Sequence, residues 1–177
     1  STPSVINDGR ASRYGLGWQT ARLKGRDMVF HGGDYAGYSA LIVRIPSERI
    51  FIAMLSCDGT TPAMYLEHPA TRVAALLFND PFPDWKAVEM APEVIEKYVG
   101  TYRIREDNVR EFIVEDGRAY TRRNQGGRLE VYPASDTIFF YTVTTHYIEF
   151  ELDEDGVPVR MIMHRDSGED EIAEKIR

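Results

Sequence analysis

From residue 100 onward, two-residue turn signals recur at short, even intervals, and few arrangements other than an antiparallel all-β fold accept that rhythm. The signals are Asp116-Gly117, Gly126-Gly127, Ser135-Asp136, Thr144-Thr145, Asp155-Gly156 and Ser167-Gly168. Between them apolar residues alternate. Phe112 and Val114, Leu129 and Val131, Ile138 and Phe140, Ile148, Phe150 and Leu152, and Val159, Met161 and Met163 each fall on one side of a strand. With residues 100–105 and 171–176 the count reaches about eight strands. An even number of short-connected strands favours an up-and-down barrel, which leaves no exposed sheet edge, with a two-sheet sandwich as the alternative. Inward Phe112, Phe140, Phe150, Met161 and Met163 predict a filled interior rather than a ligand cavity. Ile113, Phe139, Tyr147 and Ile162 then point outward and form a docking face.

The first half has a different texture. Residues 14–20, 27–31, 38–45 and 50–56 read as strands, the last two joined by Pro46-Ser47-Glu48-Arg49 and almost continuously apolar, as in a sheet covered on both faces. A helix fits residues 61–78, with Leu66, Ala70, Val73, Ala74 and Leu77 on one stripe. Pro69 interrupts that pattern, so a start near His68 fits equally well. The proline-rich stretch from Pro81 to Pro92 reads as a linker. The expected layout is a sheet-and-helix unit at 1–80, a linker at 81–91 and a β-barrel at 92–177.

Charge and composition narrow the function. The net charge of −7 arises wholly in the second half: residues 1–91 hold nine basic and nine acidic residues, residues 92–177 twelve and nineteen. That balance argues against nucleic acid or an anionic membrane as partner. No apolar run approaches a bilayer span. The single Cys57 excludes an internal disulfide framework and reads as a buried thiol. A chain opening at Ser1 without a signal-like segment suggests a processed or excised piece and leaves the compartment open.

The local pattern that carries chemistry is Tyr14-Gly15-Leu16-Gly17-Trp18, then His31-Gly32-Gly33, then Gly37-Tyr38-Ser39 with a strand ending in Pro46 and Glu48. A histidine at a strand end beside two glycines can donate, accept or carry charge where another backbone approaches closely. From His-Gly-Gly alone, a tight-turn histidine explains the motif at least as well.

The whole series resembles the C-terminal part of the serine hydrolases that include class C β-lactamases, penicillin-binding proteins, D-aminopeptidases and related esterases. In that family a YGLGW-like strand precedes a Lys-Thr-Gly or His-x-Gly strand, a glycine-aromatic-serine strand, an apolar strand and a helix. The resemblance covers roughly residues 13–80 and implies an α+β fold, a partial transpeptidase-like sheet with a C-terminal helix. Residues 98–102, Tyr-Val-Gly-Thr-Tyr, resemble the opening of lipocalin-like domains attached to such hydrolases, implying a barrel that caps the cleft or mediates self-association. The resemblance further implies that His31 acts near the leaving group and that Gly32 and Gly33 keep a strand edge open for substrate. It assigns the backbone N–H of Asp34 to an oxyanion hole. Histidine in place of lysine leans toward peptidase, amidase or esterase activity.

The family's nucleophile motif, Ser-x-x-Lys, occurs nowhere in the sequence, and neither does Tyr-x-Asn or Tyr-x-Ser. The expectation is therefore a fragment lacking the N-terminal catalytic portion and inactive alone, with a small-molecule or peptide substrate in the intact protein; the alternative is a non-catalytic lipocalin-like binding or interaction module. No cofactor or metal is expected. His146 and His164 read as residues of neighbouring strands without further ligands at suitable spacing, and Asp153-Glu154-Asp155-Gly156 is too short for a calcium loop. Arg122-Arg123 and the acids at 169–171 read as solvated turns and strand ends.

Overall fold

The computed structural model describes residues 12–176. They divide into two compact units, one of residues up to Pro83 with Asp166–Gly168, the other of Asp84–Arg165 with the residues from Glu169 onward.

The first unit is an antiparallel sheet in sequence order: β1 (Tyr14–Gly15), β2 (Trp18–Leu23), β3 (Arg26–Tyr35), β4 (Tyr38–Ile45) and β5 (Ile50–Ser56). Leu16 and Gly17 bend the expected first strand into a hairpin, both at positive φ. Leu41, Val43 and Ile45 are buried on one face while Ile42 and Arg44 are exposed on the other. The expectation of a sheet covered on both faces is corrected: the continuous apolarity arises because Ile42, Phe51 and Leu55 stand on an exposed face, and among the described residues only one face is covered within the unit.

That covered face meets α1 (Glu67–Leu77). Pro69 is tolerated because it sits in the first helical turn, where the N–H has no intrahelical acceptor. The preceding residues, Ala63–Leu66, form only a 3-10 turn, which shortens the helix expected over 61–78. Ala70, Thr71, Ala74 and Ala75 are buried while Val73 and Leu77 are exposed, so the stripe is rotated and made of small side chains. The helix ends in a Schellman arrangement: Asn79 at φ 58 donates to Leu76, and Asp80 donates to Ala75. With α1 and the five-residue α2 (Pro92–Glu96) as the only α-helices among the described residues, the molecule is mostly β. The α+β expectation is corrected to that extent.

The second unit is a closed eight-stranded antiparallel barrel. Its strands are β6 (Gly100–Arg105), β7 (Asn108–Glu115), β8 (Arg118–Arg123), β9 (Arg128–Pro133), β10 (Ile138–Phe140), β11 (Tyr147–Leu152), β12 (Pro158–His164) and β13 (Asp170–Lys175). The last strand pairs with the first, Glu174 opposite Arg103 and Lys175 opposite Tyr102. Phe112, Phe150, Met161 and Met163 fill the interior as the alternation predicts, joined by Tyr98 and Tyr102. In β10 the pleat is reversed: Phe139 is fully buried in the core, and Phe140 lies outside it against Tyr132. The strand is only three residues long, and alternation over so few residues does not fix a face.

Tyr98 lies 4.6 Å from Phe150 between ring centroids, and its hydroxyl donates to the Asp136 carbonyl. Tyr102 donates to the Tyr98 carbonyl at 2.7 Å. Burial pushes both phenols up, most strongly Tyr102.

Candidate active site

His31 does not end its strand. β3 continues through Gly32, Gly33 and Asp34 to Tyr35, because β4 pairs with it all the way from Val29↔Arg44 to Tyr35↔Tyr38. On the other side β2 stops early, and its last pair with β3 is Gln19↔Phe30. From His31 to Tyr35 that edge carries no paired strand among the described residues.

The hairpin geometry decides which backbone groups face the open edge. Ala36 and Gly37 form a two-residue turn with φ of 44° and 89°, the primed type that suits the twist of paired strands. Tyr35 and Tyr38 therefore exchange both hydrogen bonds, and bonded and non-bonded pairs alternate from there. Asp34 and Gly32 fall in the non-bonded pairs, so their N–H and C=O groups point away from β4 and into the open edge.

Side chains alternate too. A Cβ on Gly32 would stand 3.1 Å from the Ala63 Cβ and 3.3 Å from both the Ala40 carbonyl and Leu41 Cδ1, whereas one on Gly33 would meet nothing within 4 Å. Glycine at 32 lets the 3-10 turn close on the sheet, and Gly33 leaves the outer face bare. His31 shares that outer face and is exposed. Its Nε2 lies 3.1 Å from the Tyr14 hydroxyl, with the rings edge to face at 5.9 Å. Sequence reading gave Tyr14 no role; the pairing of β1 with β2 is what brings it across, and the Leu16-Gly17 turn was the available signal.

The Asp34 carboxylate points to the covered face. Its Oδ1 accepts from Ser39 Oγ at 2.6 Å and from the Ala63 N–H at 2.7 Å, starting the 3-10 turn. The residue thus anchors its own strand while its N–H faces outward. Beyond it, an open groove of about 360 Å³ runs along the hairpin tip, lined by Asp34, Tyr35, Tyr38, Ser39 and residues 59–62. His31 and Gly33 do not line it. Asp58 braces the loop behind: Oδ2 accepts from Thr61 Oγ1 at 2.6 Å and Oδ1 from the N–H groups of Thr60 and Thr61, which hold its carboxyl far below the usual range.

Other sequence candidates fall elsewhere. Cys57 is exposed, not buried. His146 precedes β11 rather than lying in it. His164 ends β12 with Glu149 Oε2 3.1 Å from Nε2 and Asp170 Oδ1 3.0 Å from Nδ1, its ring stacked on Tyr147. Among the described residues no group of three or more His, Cys, Asp or Glu side chains is placed to hold a metal ion. Asp153 folds its turn by accepting from the N–H groups of Asp155 and Val157. Arg123 and Glu171, expected in solvent, meet each other, and Glu171 is buried. No helix among the described residues is long and apolar enough to cross a membrane.

The family model described as "Domain of unknown function (DUF3471)" matches residues 84–175, the barrel and its lead-in. The chain belongs to that family. It is also 29% identical to penicillin-binding protein 4* of Bacillus subtilis (strain 168), over 96% of this chain and 39% of that protein. A D-aminopeptidase of Gluconobacter oxydans (strain 621H) is 31% identical over 55 residues, covering 31% of this chain and 10% of that protein. The similarity to β-lactamase-like hydrolases is thus shared with related proteins, of whose length the chain spans well under half. Among solved structures, the crystal structure of SurE with D-Leu is 16% identical with a TM-score of 0.41, covering 92% of this chain and 38% of that one. The octameric penicillin-binding protein homologue from Pyrococcus abyssi is 20% identical with a TM-score of 0.37, covering 88% and 35%.

Proposed function

We propose that the first unit forms one wall of the acyl-transfer cleft of a serine hydrolase acting on peptides, amides or esters. The observation that carries this reading is the edge of β3 beside His31, unpaired among the described residues, with the N–H of Asp34 directed into it. An extended substrate can add to that edge as a further strand, its backbone meeting the groups of Gly32 and Asp34. The Asp34 N–H is held by the hairpin and by its own anchored carboxylate, so it stands fixed where an oxyanion develops. Such a preset donor is typically worth about 10²–10³ in rate. His31, with Tyr14 fixing one ring nitrogen, is placed to move or share a proton at the leaving group. The attacking serine and its lysine come, in this reading, from the part of the longer relatives that this chain does not span.

The test uses a protein carrying both this chain and a Ser-x-x-Lys portion, assayed on D-amino-acid anilides and on simple esters. His31→Ala is expected to lower kcat by about 10²-fold or more while changing KM little. Unchanged turnover would remove His31 from the mechanism. Tyr14→Phe, which keeps the ring but drops the hydroxyl, is expected to show a smaller loss of kcat than His31→Ala.

A further inference from the structure

The barrel interior changes character along its length. One end is packed with Tyr98, Phe112, Phe139 and Phe150. The other end, where β7 and β13 begin and β8 and β12 finish, is polar and basic. Arg110 on β7 and Glu171 on β13 are 8% and 6% exposed there. Arg110 Nη2 donates to Glu171 Oε1 at 2.7 Å. The other carboxylate oxygen, Oε2, receives Arg165 Nη2 and lies 3.1 Å from Arg123 Nη2.

Three guanidiniums therefore surround one carboxylate, a local surplus of two positive charges in a chain of net −7. One arginine would suffice to pair a buried glutamate. The other two bring mutual repulsion, since both approach the same oxygen. Donors also remain unspent: Arg110 Nε–H is buried without a hydrogen-bond partner among the described residues. Arg123 uses Nε on Asn108 and one nitrogen on Glu171, leaving further N–H groups of its fork. The Arg123 and Arg165 side chains keep 45% and 34% of their surface in solvent, so the cluster is open from outside.

We propose that this end of the barrel binds a small oxyanion, a carboxylate or a phosphate, held between Arg123 and Arg165 with Arg110 behind them. A planar or tetrahedral oxyanion matches the fork of each guanidinium, relieves the repulsion and shares the donors that Glu171 alone does not saturate. Glu171 acts as the internal competitor that keeps the arginines ordered when the ligand is away.

Calorimetric titration of the 177-residue chain with inorganic phosphate, and separately with succinate, at ionic strength held constant with sodium chloride, tests this. Saturable one-site binding of at least one of them is expected, and comparison of the two separates phosphate from carboxylate as the preferred class. The double variant Arg123→Ala/Arg165→Ala should weaken that binding by about 10-fold or more, its fold checked by circular dichroism. Glu171→Gln, which removes the competing charge, should tighten it several-fold; should that variant not fold, the arginine variant decides alone. No saturable binding by either anion, or unchanged affinity in the folded double variant, overturns the proposal.

Discussion

The barrel and the five-stranded sheet are made of the same antiparallel hairpins, yet they treat their own surfaces in opposite ways. The barrel closes β13 onto β6, so each strand has two neighbours, and its aromatic side chains turn inward. Among the described residues the sheet keeps a bare face, with Phe51 at 62% and Leu55 at 81% exposed, and a bare stretch of strand edge beside His31. A closed sheet satisfies itself and can be read from alternation and turns. An open one leaves groups uncommitted, and these are the groups that chemistry or a partner can use.

The largest contrast should appear on truncating the two apolar sets. Phe150→Ala, which empties a site ringed by Tyr98, Tyr102, Phe112 and Phe139, is expected to destabilise the barrel by about 3–5 kcal/mol in urea titration. A loss under about 1 kcal/mol would mean that the core is looser than its packing shows.

Neighbouring glycines sharpen the same comparison at the strand edge. Gly32→Val drives a side chain into Ala63 and Leu41 and should cost about 1–3 kcal/mol. Gly33→Val meets open space and should leave the melting temperature nearly unchanged. In a protein carrying the nucleophile it should nonetheless lower kcat/KM by about 10-fold, by crowding the edge on which substrate is proposed to lie. Normal catalysis in that variant would refute strand addition.

Acid should affect the barrel through Glu171. Burial raises its pKa, but the hydrogen bond from Arg110 and the charges of Arg110, Arg123 and Arg165 together outweigh that and hold it below its ordinary 4.5. A carboxyl depressed on folding stabilises fully above its unfolded value and loses that contribution as pH falls through the folded one. Barrel stability should therefore decline below about pH 4.5, and Glu171→Gln should flatten that part of the profile.

The smallest effect belongs to the bare face. Leu55→Ala should change the stability of the chain by no more than about 0.5 kcal/mol, measured by thermal melting. A large loss would show that this face is packed in solution, by self-association for example.

The two regions were not equally legible in the sequence. The eight barrel strands follow from Asp-Gly, Gly-Gly and Ser-Gly turns between alternating runs, and only the three-residue β10 had its faces exchanged. In the sheet, the strand positions were readable but not their ends. β3 runs four residues past His31 because β4 supports it, which is a non-local cause. Hence the role assigned to the Asp34 N–H rests on resemblance alone, while its carboxylate cap on Ala63 and the Tyr14–His31 contact have no local signature. Charge alone predicts a solvated Arg123 and Glu171; that an inward pleat buries Glu171 against Arg123 has no signal in the local sequence.

The seam between β6 and β13 has a consequence for biosynthesis. A cylinder whose opening and closing staves are the earliest and latest to be made cannot be sealed on the ribosome until translation of its final stave is complete. Until then both flanks of the seam would be sticky, so a premature stop before Asp170 should yield a product prone to templated assembly rather than a slightly smaller, well-behaved domain.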